Sequence, residues 1–198
     1  EFLAIQNKHP KSIGFFGTRH LSITHQQLIE VLSYAMVLTG NHIYTSGATG
    51  TNAAVIRGAL RAGVFDGTMP ALAAYLDDAT ATFRFYISRL TLVVSLVRSF
   101  ACSLARQENP DLLTVVLPQS MSAQPPESRE LLKEVQNVIE MSENDDMSLM
   151  DASRLCNEDI IARVDQVVCI LFHDSSLLLE TCREAKESSK IVTLFYLD

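Results

Sequence analysis

The sequence predicts an α/β domain in which a mainly parallel sheet is packed between helices on both faces. Three observations carry that expectation. Strand-like apolar runs alternate with helical stretches along most of the chain, the pattern of parallel strands joined by right-handed helical crossovers. The run Leu112-Leu113-Thr114-Val115-Val116-Leu117 is continuously apolar and β-branched, as a central strand covered on both faces requires. Small-residue turns stand between strands and helices, at the carboxyl ends of strands where open parallel sheets collect their ligands. Together these describe a Rossmann-like three-layer sandwich of about six strands with a helical insert.

Each element can be justified in order. Ser12 to Phe16 is a short apolar strand that ends at Gly17. Thr24 to Gln27 has the T-x-x-Q form of a capping box, and Leu28, Leu32, Ala35 and Met36 fall on one face of the helix behind it. Gly40-Asn41 closes that helix, since glycine tolerates the left-handed conformation there. His42 to Thr45 is the next strand, and a helix follows from Thr51 to Ala62 with Ala53, Ile56 and Leu60 inward. After the Leu112 strand, Pro125-Pro126 opens a helix striped by Leu131, Leu132 and Val135. Val138-Ile139 is a short strand. Ala152 to Val164 is a helix with Leu155, Ile160 and Ile161 inward. Gln166 to Phe172 is a strand, Ser175 to Glu187 a helix and Ile191 to Tyr196 the last strand.

The segment Gly63 to Gln107 breaks the rhythm, and its roughly 45 residues exceed an ordinary loop. It reads as a helical insert, with Met69 to Thr80 and Phe83 to Ala105 as its helices. Three readings stand: a lid or interaction module, a contact in a homo-oligomer, or translated intron. The most apolar stretch, Leu90 to Ala105, contains Arg98 and is shorter than the ~20 apolar residues of a membrane span, so no membrane association is expected.

Bulk properties narrow the function. A chain of 198 residues with 47% hydrophobic and 20% charged content is one globular domain. A net charge of -7 opposes a grip on nucleic acid through charge alone. Cys102, Cys156, Cys169 and Cys182 form no C-x-x-C pair and have no histidine at zinc-finger spacing. They read as reduced, buried small residues of a reducing compartment. The chain begins Glu-Phe-Leu, which reads as a piece of a longer protein with any targeting peptide upstream.

Four turns could carry chemistry. In Gly17-Thr18-Arg19-His20, glycine lets the backbone approach an anion, Thr18 offers a hydroxyl and Arg19 a planar charged fork. The plainer alternative is a surface arginine after a tight turn. Thr45-Ser46-Gly47-Ala48-Thr49-Gly50-Thr51-Asn52 runs from a strand into a helix, so bare N–H groups and the helix dipole form an anion site. The alternative is a glycine-rich cap that binds nothing. Pro118-Gln119-Ser120 is the third turn, and Asp174-Ser175-Ser176 the fourth, where capping by Asp174 or Ser175 competes with binding. The second turn lacks the Gly-Lys-Ser/Thr of a Walker loop, and no G-x-G-x-x-G or G-x-S-x-G motif occurs. No catalytic residue, metal set or cofactor is nominated: the five histidines lack metal spacing, and Glu143, Asp145 and Asp146 read as a solvated acidic loop.

Gly17-Thr18-Arg19, the Thr45–Asn52 turn with Ala53-Ala54 and Gly58-Ala59-Leu60, Leu117-Pro118-Gln119-Ser120, Ser142-Glu143 and Cys156-Asn157-x-x-Ile160-Ile161 resemble the DNA-processing protein A (DprA) family. That family sits in a Rossmann-like superfamily with the cytokinin-activating phosphoribohydrolases. The resemblance covers nearly the whole chain outside the insert and is greatest to plant, plastid-directed members, which implies a chloroplast location, or otherwise a cytoplasmic one. It implies binding of single-stranded DNA and a recombinase partner in DNA recombination. It adds Asn157, Ser175 and Ser176 to the expected ligand site. Thr49 and Asn52 stand where the family carries Arg and Asp, Cys156 stands for the Arg of its Arg-Asn pair, and Asp174-Ser175-Ser176 stands for a Ser-Gly-Ser turn. The Pro-Gly-Gly-x-Gly-Thr run of the phosphoribohydrolases is absent. The expected function is therefore a non-enzymatic domain binding a phosphorylated ligand such as single-stranded DNA. The alternatives are a hydrolase of nucleotides or nucleoside monophosphates, and a protein-interaction module with a vestigial pocket.

Overall fold

A computed structural model describes residues 11–63 and 112–197. The insert read at Gly63–Gln107 lies almost wholly outside the described residues. Six strands form one sheet in the order β4-β3-β2-β1-β5-β6, every neighbouring pair parallel. They are β1 (Ser12–Gly17), β2 (His42–Ser46), β3 (Leu113–Leu117), β4 (Asn137–Glu140), β5 (Gln166–Leu171) and β6 (Ile191–Tyr196). The helices are α1 (Ile23–Leu38), α2 (Thr51–Gly63), α3 (Pro126–Leu132), α4 (Leu149–Arg163) and α5 (Ser176–Glu187). This is a three-layer Rossmann-like architecture.

Handedness explains the layers. From β1 the chain steps outward to β2, β3 and β4, then returns through α4 to β5 on the other side of β1. Right-handed crossovers made in opposite directions put their helices on opposite faces. Accordingly, Phe15, Ile43, Val115 and Leu117 pack in one core cluster with residues of α1 and α2. Phe16, Val116, Val167, Cys169 and Leu171 pack in the other with Cys156, Ile160 and Ile161 of α4 and Cys182 and Ala185 of α5. β3 is buried at all five positions, as its unbroken apolar run requires.

Two local expectations are corrected. α1 is capped by Ser22, whose hydroxyl accepts from the His25 N–H at 3.2 Å, rather than by a box at Thr24, which lies inside the first turn. Its buried face is set by Ile29, Glu30, Ser33, Tyr34, Ala35 and Val37, while Leu32 and Met36 are only partly buried. The cause is α2. Gly58 lies so close to α1 that a Cβ there would fall on the Glu30 carbonyl oxygen and the Ser33 Oγ. Only small or hydrogen-bonded groups fit that seam. Glu30 is 7% exposed and survives because its carboxylate meets Arg57 Nε at 2.5 Å and Arg61 at 3.0 Å, as a buried charge must. The C-terminal end of α1 closes as read: Gly40 has φ 81° and donates to the Val37 carbonyl at 2.8 Å.

Candidate ligand cleft at the carboxyl edge of the sheet

Because the chain leaves β1 in one direction and returns to β5 in the other, the two strands flank a switch point, where the following turns separate and leave a crevice. A cavity of about 620 Å³ opens there, inside the range typical of small-ligand sites. Its polar floor comes from the turns after β1 and β2: Gly17, Thr18, Arg19, Ser46, Ala48, Thr49 and Asn52. Its opposite wall comes from α4 and α5, with Leu149, Met150, Ser153, Cys156, Asn157, Leu177 and Leu178. Pro118, Gln119 and Gln124 close one end.

The floor is held by close backbone packing. Gly50 has φ 74°, and a Cβ there would strike the Arg19 carbonyl. A Cβ on Gly17 would strike the Thr51 side chain, and one on Gly47 would strike Leu117 Cδ2. Thr51 ties the two turns together: its N–H and its hydroxyl both donate to the Thr18 carbonyl at 3.0 Å. The Thr18 N–H in turn donates to the Ile170 carbonyl of β5 at 3.0 Å. The first intrahelical bond of α2 runs from Ala54 N–H to Gly50 C=O at 3.0 Å. The Asn52 and Ala53 N–H groups precede it and belong to the unpaired first turn that attracts anions.

Arg19 is the single charged side chain among the described residues that line the cavity, and it is exposed. Asn52 is 6% exposed; one atom of its amide meets Ser46 Oγ at 2.6 Å and the other, fully covered, has no partner. An orphan of this kind costs about 1–3 kcal/mol.

The other sequence-nominated residues divide by what they already hold. Thr51, Gly47 and Gly50 build the floor from behind and do not line the cavity. Gln119 lines it, yet its Nε2 reaches the Asn144 and Met147 carbonyls at 3.2 Å. Ser120 stands outside the lining, its N–H donating to Asp145 Oδ1 at 2.7 Å. That bond makes Asp145 of the acidic loop a latch on this turn, and Glu140 at the end of β4 adds a second by accepting from the Met121 N–H at 2.7 Å. Asn157 lines the wall and donates from Nδ2 to Thr181 Oγ1 at 3.1 Å. Ser175 is the N-cap of α5 but its side chain makes no cap bond, and Ser176 begins the helix; neither lines the cavity.

Sequence reading missed the apolar wall. It started α4 at Ala152, whereas Ser148 caps the helix by accepting from the Asp151 N–H at 3.2 Å, so an added turn carries Leu149 and Met150 to the cleft. The signal was the Ser148-x-x-Asp151 spacing, an N-cap followed by an acidic residue in the first turn.

The thiol in the cleft is not poised to react. Cys156 Sγ donates to the Val116 carbonyl at 3.3 Å, and burial, reinforced by the Asp159 charge, pushes its pKa up from 9.0 to about 12. At neutral pH it is a thiol, not a thiolate. The folded state therefore holds this proton more tightly than the unfolded one. The stability it contributes is complete below pH 9 and is lost as pH rises from 9 toward about 12. The expected slope is up to about 1.4 kcal/mol per pH unit. Urea denaturation between pH 8 and 11 checks this, and Cys156→Ala should have a shallower alkaline decline than the wild type.

Among the described residues, no group of three or more His, Cys, Asp or Glu side chains could hold a metal ion. Nor is any described helix long and apolar enough to cross a membrane.

Fold and cleft together define a Rossmann-like α/β domain with a polar floor and an apolar wall. No protein-family model matches the chain, and no curated protein matches it in sequence. Among solved structures it is similar to DNA processing protein A from Helicobacter pylori, whose structure was studied for its single-stranded DNA binding mode. The TM-score is 0.61 at 15% identity, covering 93% of this chain and 65% of that one. The chain thus has a DprA-like fold and spans less than two thirds of that neighbour's length.

Proposed function

We propose that the domain binds a phosphorylated ligand in this cleft, and that the ligand is single-stranded DNA. The carrying observation is the junction of Arg19, the one charged side chain among the described lining residues, with the unpaired first turn of α2, held together by the Thr51–Thr18 bonds. The apolar wall of Leu149, Met150, Leu177 and Leu178 suits the flat, uncharged part of a nucleotide. The DNA-binding property of the structural neighbour supports this reading. Cys156, the thiol among the described lining residues, is held protonated and is not poised as a nucleophile, which favours binding over thiol-based hydrolysis.

A single cation predicts a weak dependence on salt. At roughly −0.7 per phosphate contact for single strands, the slope of log K against log salt should be about −0.7, so affinity should fall only about two- to threefold between 50 and 200 mM. Fluorescence anisotropy of a labelled oligothymidylate, titrated with salt, measures this. Arg19→Ala should weaken binding by about tenfold or more, the worth of a hydrogen bond to a charged group. No binding at low salt, or identical binding by Arg19→Ala, would refute the proposal.

A further inference from the structure

Resting on that reading, we infer that the cleft selects the base as well as the phosphate. Its wall and closed end present hydrogen-bond acceptors, which favour a base with an exocyclic amino group over one with a carbonyl in that place. Three carboxamides line the cavity, Gln119, Gln124 and Asn157, and each spends its NH2 inside the protein. Gln124 Nε2 donates to the Ser120 carbonyl at 3.3 Å, and Gln119 Nε2 to the Asn144 and Met147 carbonyls at 3.2 Å. A carbonyl oxygen only accepts, so these two amides can meet it only with their nitrogen. Asn157 Nδ2 donates to Thr181 Oγ1 at 3.1 Å, and the Thr181 hydroxyl donates onward to the Leu177 carbonyl at 3.1 Å. With the Asn157 amide turned over, the single Thr181 proton would face two acceptors, and one of the two bonds would be lost.

The amide oxygens are what remains for a ligand. Among the described residues, the fully covered side-chain atoms without a partner belong to Asn52 and Arg129. Gln124 Oε1 and Asn157 Oδ1 also have no partner among the described residues, yet they are not covered in this way. Gln124 is 8% and Asn157 9% exposed, and the surface they keep lies on the cavity they line. Ser153, one helical turn before Asn157 on the same face of α4, adds a further acceptor: its hydroxyl donates to the Leu149 carbonyl at 2.6 Å and turns only lone pairs outward. Floor and wall thus have opposite polarity. Arg19 and the first-turn N–H groups of α2 donate, which suits phosphate oxygens. The wall accepts, which suits the amino N–H groups of cytosine or adenine. Uracil and thymine set a carbonyl oxygen where cytosine has its amino group, oxygen against oxygen, and would leave the wall's acceptors unpaired.

The test compares oligodeoxycytidylate with oligodeoxyuridylate of equal length, by fluorescence anisotropy with the full chain at pH 8. The two share a backbone and a ring size and lack the methyl of thymine. Cytidylate should bind about three- to tenfold tighter, the worth of one hydrogen bond. Asn157→Leu and Gln124→Met should each bring that ratio down toward one. Equal affinity, or tighter binding of uridylate, while Arg19→Ala still weakens both, overturns base selection alone. So does a preference that both variants retain, including one in which they weaken the two oligomers alike. A wild-type protein that binds neither oligomer overturns the cleft reading as well, and this inference with it.

Discussion

Gly50→Ala is expected to cost both stability and binding. At φ 74° the backbone sits in the left-handed region, and the added methyl would meet the backbone carbonyl of Arg19. Strain of the first kind costs about 1–3 kcal/mol, and overpacking adds about 1–3 kcal/mol. The obstacle is backbone, so no rotamer change relieves it: the turn after β1 and the start of α2 must separate. That movement would pull on the two Thr51 bonds to the Thr18 carbonyl and carry Arg19 away from the helix terminus. The variant should melt several degrees lower, at roughly 2–4 °C per kcal/mol for a chain of this size. It should also bind oligothymidylate at least as poorly as Arg19→Ala at temperatures where it remains folded. Calorimetry and anisotropy on one preparation check both.

Gly58→Ala is expected to have a comparable effect on stability and a different effect on function. The new methyl would lie on the Glu30 carbonyl and the Ser33 hydroxyl, prising α1 from α2. The expected loss is about 2–4 kcal/mol, toward the upper end of overpacking costs. The same seam holds Glu30 between Arg57 and Arg61, and widening it lengthens those contacts while the carboxylate stays covered. The seam lies away from the lining residues. Binding measured well below the melting temperature should therefore remain near wild type. A thermal melt and a titration separate the two mutants: Gly50→Ala loses both properties, Gly58→Ala stability alone.

These two glycines also show what the sequence made legible. Strand positions were readable because each is a short apolar run bounded by a turn, and β3 carries no polar residue except Thr114 to blur it. Gly50 was readable as a turn element since it stands between a strand and a helix. The packing face of α1 was not. Its seam is built from Glu30, Ser33 and Gly58, residues that a hydrophobic-periodicity reading places outside the core. Half of the cleft was equally hidden. Leu149 and Met150 are 49% and 61% exposed, and an exposed apolar pair in a helix's first turn has meaning only when the fold sets it opposite Arg19 and Asn52. Gln119 and Ser120 illustrate the converse: polar turn residues of the expected type are engaged by the 144–147 loop through bonds that connect distant parts of the chain.

The central claim, that the cleft between the β1 and β2 turns and α4 is where a phosphorylated ligand binds, is tested most directly by mapping backbone amide shifts during an oligothymidylate titration. The account predicts that the largest shifts fall on Thr18, Arg19, Asn52 and Ala53, with smaller ones on Leu149, Met150, Leu177 and Leu178. Saturable binding with its largest shifts elsewhere, or no shifts in these two groups at low salt, would contradict it.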